Sequence, residues 1–191
     1  MEATAKFQLG SVISGTLKTE DLLKAFAEEL RYRICSLNPK PSRTNGSNTV
    51  GHQLLIKAFI FLEDVHKWVI TSQPAGVYIK HEYQELARQL VDGLQDELNA
   101  LCPPFVYFGT RPDDGSDPST QQGTCFGFWP DHDSLSDAIY EASKDDDNMV
   151  EWGTHGVCEV YLPDHNLYVV ISDHGNVTVY NQGRNELWSC A

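Results

Sequence analysis

The feature that most constrains this chain is a change of hydrophobic period at Pro103-Pro104. Ahead of it, apolar residues recur at three- and four-residue steps, the spacing that gives a helix one apolar face. Behind it, the runs are short, β-branched or aromatic, and bounded by turn residues, the signature of strands. One chain with both periods, segregated in sequence, predicts an α+β fold. The expectation is about three N-terminal helices packed on a C-terminal antiparallel β-meander, with one short extra helix. At 191 residues the chain fits one domain, 1–191, with 1–102 a mainly helical layer and 103–191 an acidic, β-rich layer.

The first helix is expected after Thr19 as N-cap, with Glu20 and Asp21 in the first turn and Leu22, Leu23, Phe26, Leu30, Ile34 and Leu37 on one face. Asn38-Pro39 stops it, and residues 38–51 read as a loop. A second helix is expected from about His52 to Ile70, apolar on more than one face and so buried between neighbours. The third, about Lys80 to Leu101, shows the clearest stripe, and Gly93 inside it costs about 1 kcal/mol relative to alanine. Beyond Pro104, "FVYFG" (105–109) and "TCFGFW" (124–129) read as strands and "DSLSDAIYEA" (133–142) as a helix with Leu135, Ala138 and Ile139 inward. "GVCEVYL", "LYVVIS", "NVTVYN" and "ELWSC" then read as four strands joined by tight turns.

Charge follows the same division. Of the net charge of −13, nearly all arises after residue 109, where 15 acidic residues face three basic ones; residues 1–109 hold 12 against 11. Such asymmetry between halves suggests an interaction surface, although an acidic surface also serves plain solvation. Met1 to Gly10 carries one lysine and no apolar core, and charges interrupt the longest apolar stretch, Leu54 to Ile70. A soluble, cytoplasmic chain without a membrane contact is expected. The five cysteines are far apart, odd in number and without a CxxC pair, which reads as reduced thiols acting as small apolar side chains.

Motifs for chemistry are weak. Asp-His occurs at Asp131-His132, Asp164-His165 and Asp173-His174, and His155 adds a fourth imidazole. His132, His155, His165 and His174 with nearby carboxylates make a metal-dependent hydrolase the alternative function. Yet the spacings match no metal motif, and each Asp-His lies at an expected turn; alternate turns of a meander would point His165 and His174 to opposite edges. The loop from Asp113 lacks the ligands of a calcium loop: its sixth position is Pro118 and its twelfth Thr124. No GxSxG, P-loop or GxGxxG occurs. Tyr107, Phe108, Phe126, Phe128 and Trp129 could stack bases or sugars, but acidic surroundings repel a phosphate backbone and core packing is the ordinary explanation.

"GTLKTEDLLKAFAEEL", "YFGTRPDDGSDPSTQQGTCFGFWPD" and "SDHGNVTVY" together resemble a scattered family of small proteins of phages and bacterial mobile elements. In that family a YFG…DG…FGFW segment precedes a closing (D/N)HGNVTLY strand. Here "PSTQQGT" lengthens the loop between YFG and FGFW. The resemblance carries no established activity and no catalytic residue; it implies an accessory gene of a mobile element acting on host proteins.

The leading expectation is thus an acidic protein-binding module without a cofactor, an inhibitor of the anti-CRISPR or anti-restriction type that mimics nucleic-acid charge. Asp113, Asp114, Asp117, Asp131, Asp133, Asp137, Asp145, Asp146 and Asp147 would face a basic, nucleic-acid-handling host protein, with no nucleic acid bound directly. Catalysis is the lesser expectation, and a structural or assembly role with self-association is the third.

Overall fold

The computed structural model describes residues 6–37, 50–72, 75–111, 125–145, 148–152 and 158–191. The fold is α+β, with four α-helices and antiparallel sheets among the described residues. The chain divides into two compact units. A helical unit comprises 11–101 and 108–127, and a meander unit comprises 1–10, 102–107 and 128–191. A three-stranded sheet has β1 (Gly10–Ser14), β5 (Cys125–Pro130) and β4 (Val106–Thr110) in that order, and the unit boundaries fall at or within these strands.

In the helical unit, α1 (Thr19–Leu37) packs most extensively on α3 (Gln84–Ala100), and α2 (Val50–Glu63) on both. The seam is built from the expected stripes: Leu22, Leu23, Phe26, Ala27 and Leu30 of α1 are buried, as are Ala87, Leu90, Val91, Leu94 and Leu98 of α3. Phe26 meets Phe108 and Phe126 edge-on, with centroids 4.9 and 5.3 Å away, the geometry the ring quadrupoles favour. Gly93 has a packing reason: a Cβ there would lie 3.2 Å from Leu54 Cδ2 of α2. The end of α3 is tied to β4 by one side chain. Asn99 Nδ2 donates to Phe108 O at 3.0 Å, and Asn99 Oδ1 accepts from Phe108 N at 2.7 Å. An amide thereby occupies both hydrogen-bonding positions of a strand residue.

Three expectations are corrected here. Thr19 is the first residue of α1 rather than its cap, and Thr16 holds the start instead. Thr16 Oγ1 accepts from Lys18 N and donates to Asp21 Oδ2 at 2.7 Å. The second helix stops at Glu63, because Asp64 Oδ1 takes the His66 N–H at 3.0 Å and starts a 3₁₀ turn over Val65–Lys67. A short side chain that captures a nearby backbone donor competes with the helix. The β-branched and aromatic run beyond it forms β2 (Trp68–Ser72), paired antiparallel with β3 (Ala75–Ile79). Finally, α2 is not buried all round: Ile56 and Ile60 are 57% and 60% exposed.

In the meander unit, the sheet order is β10-β9-β8-β7-β6. Its strands are β6 (Met149–Trp152), β7 (Cys158–Leu162), β8 (Leu167–Ile171), β9 (Val177–Asn181) and β10 (Glu186–Cys190). The last four coincide with the four expected strands. Register aligns Val160, Val169, Val179 and Trp188 in one row across four strands, and all four are buried. A second row runs Cys158, Ile171, Val177, Cys190. Burial pushes the Cys158 and Cys190 thiols up from their ordinary value, away from thiolate character. None of the five cysteines is in a disulfide, and Cys35 is exposed. Trp188 Nε1 donates to Pro104 O at 2.9 Å, and α4 (His132–Ala142) packs on β7 with Leu135 and Ala142 buried.

The Asn99 clamp yields a stability prediction. Asn99→Ala removes two partly buried hydrogen bonds to the Phe108 backbone, at about 0.5–1.5 kcal/mol each. Urea unfolding should show a loss of about 2 kcal/mol. Asn99→Asp should also destabilise, because a carboxylate cannot donate to Phe108 O. Equal midpoints for wild type and Asn99→Ala would refute the clamp.

Candidate functional site

Helix α4 begins where β5 ends. Asp131 N donates to Phe105 O at 2.9 Å, fixing the helix start to the 103–106 turn. Asp131 then caps the helix: Oδ1 accepts from Ser134 N at 3.1 Å and Oδ2 from Ser134 Oγ at 2.6 Å. The bond from the Ser134 hydroxyl, followed by that from its N–H, holds the Asp131 carboxyl below the usual aspartate range against the opposing effect of burial. Asp133 sits in the first turn, where the helix dipole favours an anion. Asp137 and Glu141 follow at four-residue steps, one turn apart on the same face.

That face borders a cleft of about 450 Å³ between α4 and the β7–β8 turn, lined among others by Asp137, Glu141, Asn148, Pro163, Asp164 and His165. The turn holds its shape through Asn166 in the left-handed region, at φ 56°, with Asn166 Oδ1 accepting from Tyr161 Oη at 2.9 Å. His165 packs against the Phe105 ring, centroids 4.8 Å apart. Phe105 itself lies at φ 60°, a conformation costly for a bulky residue and one that recurs beside functional sites.

The electrostatics of this unit are set by scarcity of cations. Its three basic side chains are all engaged: Lys6 with Glu186 at 2.7 Å, Lys144 with Glu141 at 2.6 Å, and Arg184 with Glu159 at 2.6 Å. Arg184 also lies 3.7 Å above the Tyr168 ring, and Lys6 holds the Glu186 carboxyl below its ordinary range. Asp133, Asp137 and Asp164 have no basic partner among the described residues. The Asp137–Asp164 side of the cleft therefore carries uncompensated negative charge, next to the His165 imidazole.

The nine expected contact aspartates separate into three groups. Asp133 and Asp137 are exposed on α4, and Asp145 is exposed just after it. Asp131 is half-buried and committed to capping. Asp113, Asp114, Asp117, Asp146 and Asp147 lie outside the described residues, as does His155. Of the remaining histidines, His132 opens α4, His165 stands in the β7–β8 turn and His174 in the β8–β9 turn, its ring nitrogen 3.8 Å from Asp173. The last two turns lie at opposite ends of β8. Among the described residues no three His, Cys, Asp or Glu side chains gather as a metal ion requires. Of the aromatic residues weighed as a stacking platform, Phe108 and Phe128 are buried, and Phe126 packs on Phe26.

Sequence reasoning missed Glu141, Asp164 and Phe105 as members of the site. The spacing of Glu141 from Asp137 was a usable signal; the approach of Asp164 to α4 depends on tertiary packing. No helix among the described residues is long and apolar enough to cross a membrane. No family model, curated protein or solved structure matches the chain.

The cap has a pH signature. Asp131→Ala should cost about 1 kcal/mol at neutral pH. Because the folded-state carboxyl titrates below its unfolded value, its contribution is full above the ordinary aspartate range and fades as pH falls through the depressed value. The stability gap between wild type and Asp131→Ala, followed by urea unfolding across that range, should close on the acid side. A gap that stays constant into acid would contradict the assignment.

Proposed function

We propose that this chain is an acidic protein-binding module that docks a basic, nucleic-acid-handling partner at the cleft between α4 and the β7–β8 turn. It would act there as a charge mimic of nucleic acid, in the manner of an anti-restriction or anti-CRISPR inhibitor. One observation carries the reading: Asp137, Glu141 and Asp164 line a single cleft, while every basic side chain of the unit is already engaged. A guanidinium with its planar fork of donors is the natural complement of clustered carboxylates. Placing them on a packed helix and a tight turn limits the entropy lost when the partner arrives. The surplus of acid residues after residue 109 adds long-range attraction that raises the association rate, and it repels nucleic acid itself. The sequence resemblance to mobile-element proteins supports a host protein as the target.

The test uses a fluorescein-labelled arginine-rich peptide as the basic probe. Anisotropy titrations should show affinity falling steeply with added salt. Asp137→Asn with Asp164→Asn should weaken binding about tenfold or more, whereas Asp173→Asn, at the other end of β8, should leave it nearly unchanged. Salt-independent affinity, or equal losses from the two variants, would sink a localised site.

A further inference from the structure

The helical unit contains a second concavity of different chemistry. A cleft of about 670 Å³ has α1 on one side and α2 with the β2–β3 hairpin on the other. Its floor and far wall are apolar, formed by Phe59, Leu62, Val65, Trp68 and Val77. Val65 and Val77 are 75% and 53% exposed. The α1 wall carries Glu20, Asp21, Lys24 and Glu28. Glu20 accepts from Ile79 N at 2.9 Å and Asp21 from Thr16 Oγ1 at 2.7 Å, and Glu28 has no basic partner among the described residues. The indole Nε1 of Trp68 is buried yet without a hydrogen-bond partner. An unmatched buried donor costs about 1–3 kcal/mol.

We infer that this cleft receives an extended, basic segment of a partner protein, with apolar side chains on Phe59, Leu62, Trp68 and Val77. Charge complementarity selects this occupant. Glu20 and Glu28 stand about 12 Å apart along α1, with Lys24 midway, so the wall reads anion, cation, anion. An extended chain advances about 13 Å in four residues and presents two lysines or arginines four positions apart to those two carboxylates. Between them it offers apolar side chains to the floor. The volume lies within the range of sites that enclose a ligand of this size. This surface is independent of the α4 cleft.

The experiment follows indole N–H resonances of ¹⁵N-labelled protein, with the Trp68 signal assigned by its loss in Trp68→Phe. The probe is a blocked heptapeptide with Lys at its second and sixth positions and Leu at the third and fifth; its counterpart has Glu for Lys. The Lys peptide should move the Trp68 indole signal saturably and leave that of the buried Trp188 in place. The Glu peptide should not move it. Val65→Ser with Val77→Ser, both at exposed positions and so compatible with folding, removes apolar area without adding charge and should weaken binding about tenfold, and Glu28→Lys should weaken it severalfold. Asp137→Asn with Asp164→Asn should change nothing, which keeps this result separate from that of the α4 cleft. The proposal fails if the Trp68 signal stays still or responds equally to both peptides. It also fails if the signal shifts with protein concentration alone, which would assign the cleft to a second copy of the chain.

Discussion

The meander unit depends on one buried row, Val160–Val169–Val179–Trp188, that crosses four strands side by side. Because side chains alternate faces, the neighbouring row, Tyr161, Tyr168 and Tyr180, falls on the opposite side. A slip of one residue would exchange the two, sending three phenols into the core without partners for their hydroxyls. Register is therefore held by the cost of the alternative. It also positions the cleft. Leu162 and Leu167, both buried, pair directly across β7 and β8 and bracket the Pro163–Asn166 turn, so Asp164 and His165 emerge at a fixed place beside α4.

Magnitudes decide what holds this unit together. Burying a large apolar side chain contributes on the order of 2–3 kcal/mol, and the row supplies several. An exposed ion pair contributes about 0–1 kcal/mol. The pairs at Lys6, Lys144 and Arg184 are thus minor contributors to stability, and their larger effect is to consume the unit's cations. Stability comes from burial and is indifferent to where the carboxylates sit, which leaves the acid groups of α4 and the turn available for recognition at little cost to the fold.

The meander was legible in the sequence because "CEVYL", "LYVVI" and "VTVYN" are short, β-branched and aromatic, and the turns between the strands carry Asn, Asp and Gly. The region from Asp64 to Ile79 was not. Val65, Trp68, Val69 and Ile70 continue the apolar pattern of α2, and only the Asp64 carboxylate turning onto the His66 N–H decides between helix and hairpin. The local signals for that choice are one hydrogen bond and a β-branched bias, a few tenths to about 1 kcal/mol, too little to stand out before the pairing of β2 with β3 is known. The site was half legible. The acid surplus and the Asp137 position could be read directly, whereas Asp131 looked like one more surface charge until its hydrogen bonds made it a cap. Asp164 gained meaning only when the β7–β8 turn met α4.

The hairpin also changes what α2 can be. Had the helix run to Ile70, Trp68 and Val69 would have extended its apolar face for burial between neighbours. Ending at Glu63 instead, it leaves Val65 and Val77 at the mouth of a cleft and Ile56 and Ile60 in solvent. Each unit thus presents a surface whose chemistry follows from its own folding problem. The meander unit retains charge it cannot neutralise, suited to fast, salt-sensitive encounter. The helical unit retains apolar area it cannot cover, suited to slow release and to the negative heat-capacity change that accompanies apolar burial. Association through the first should respond mainly to ionic strength, whereas association through the second should respond to temperature as well, because apolar burial joins the contacts to Glu20 and Glu28 there.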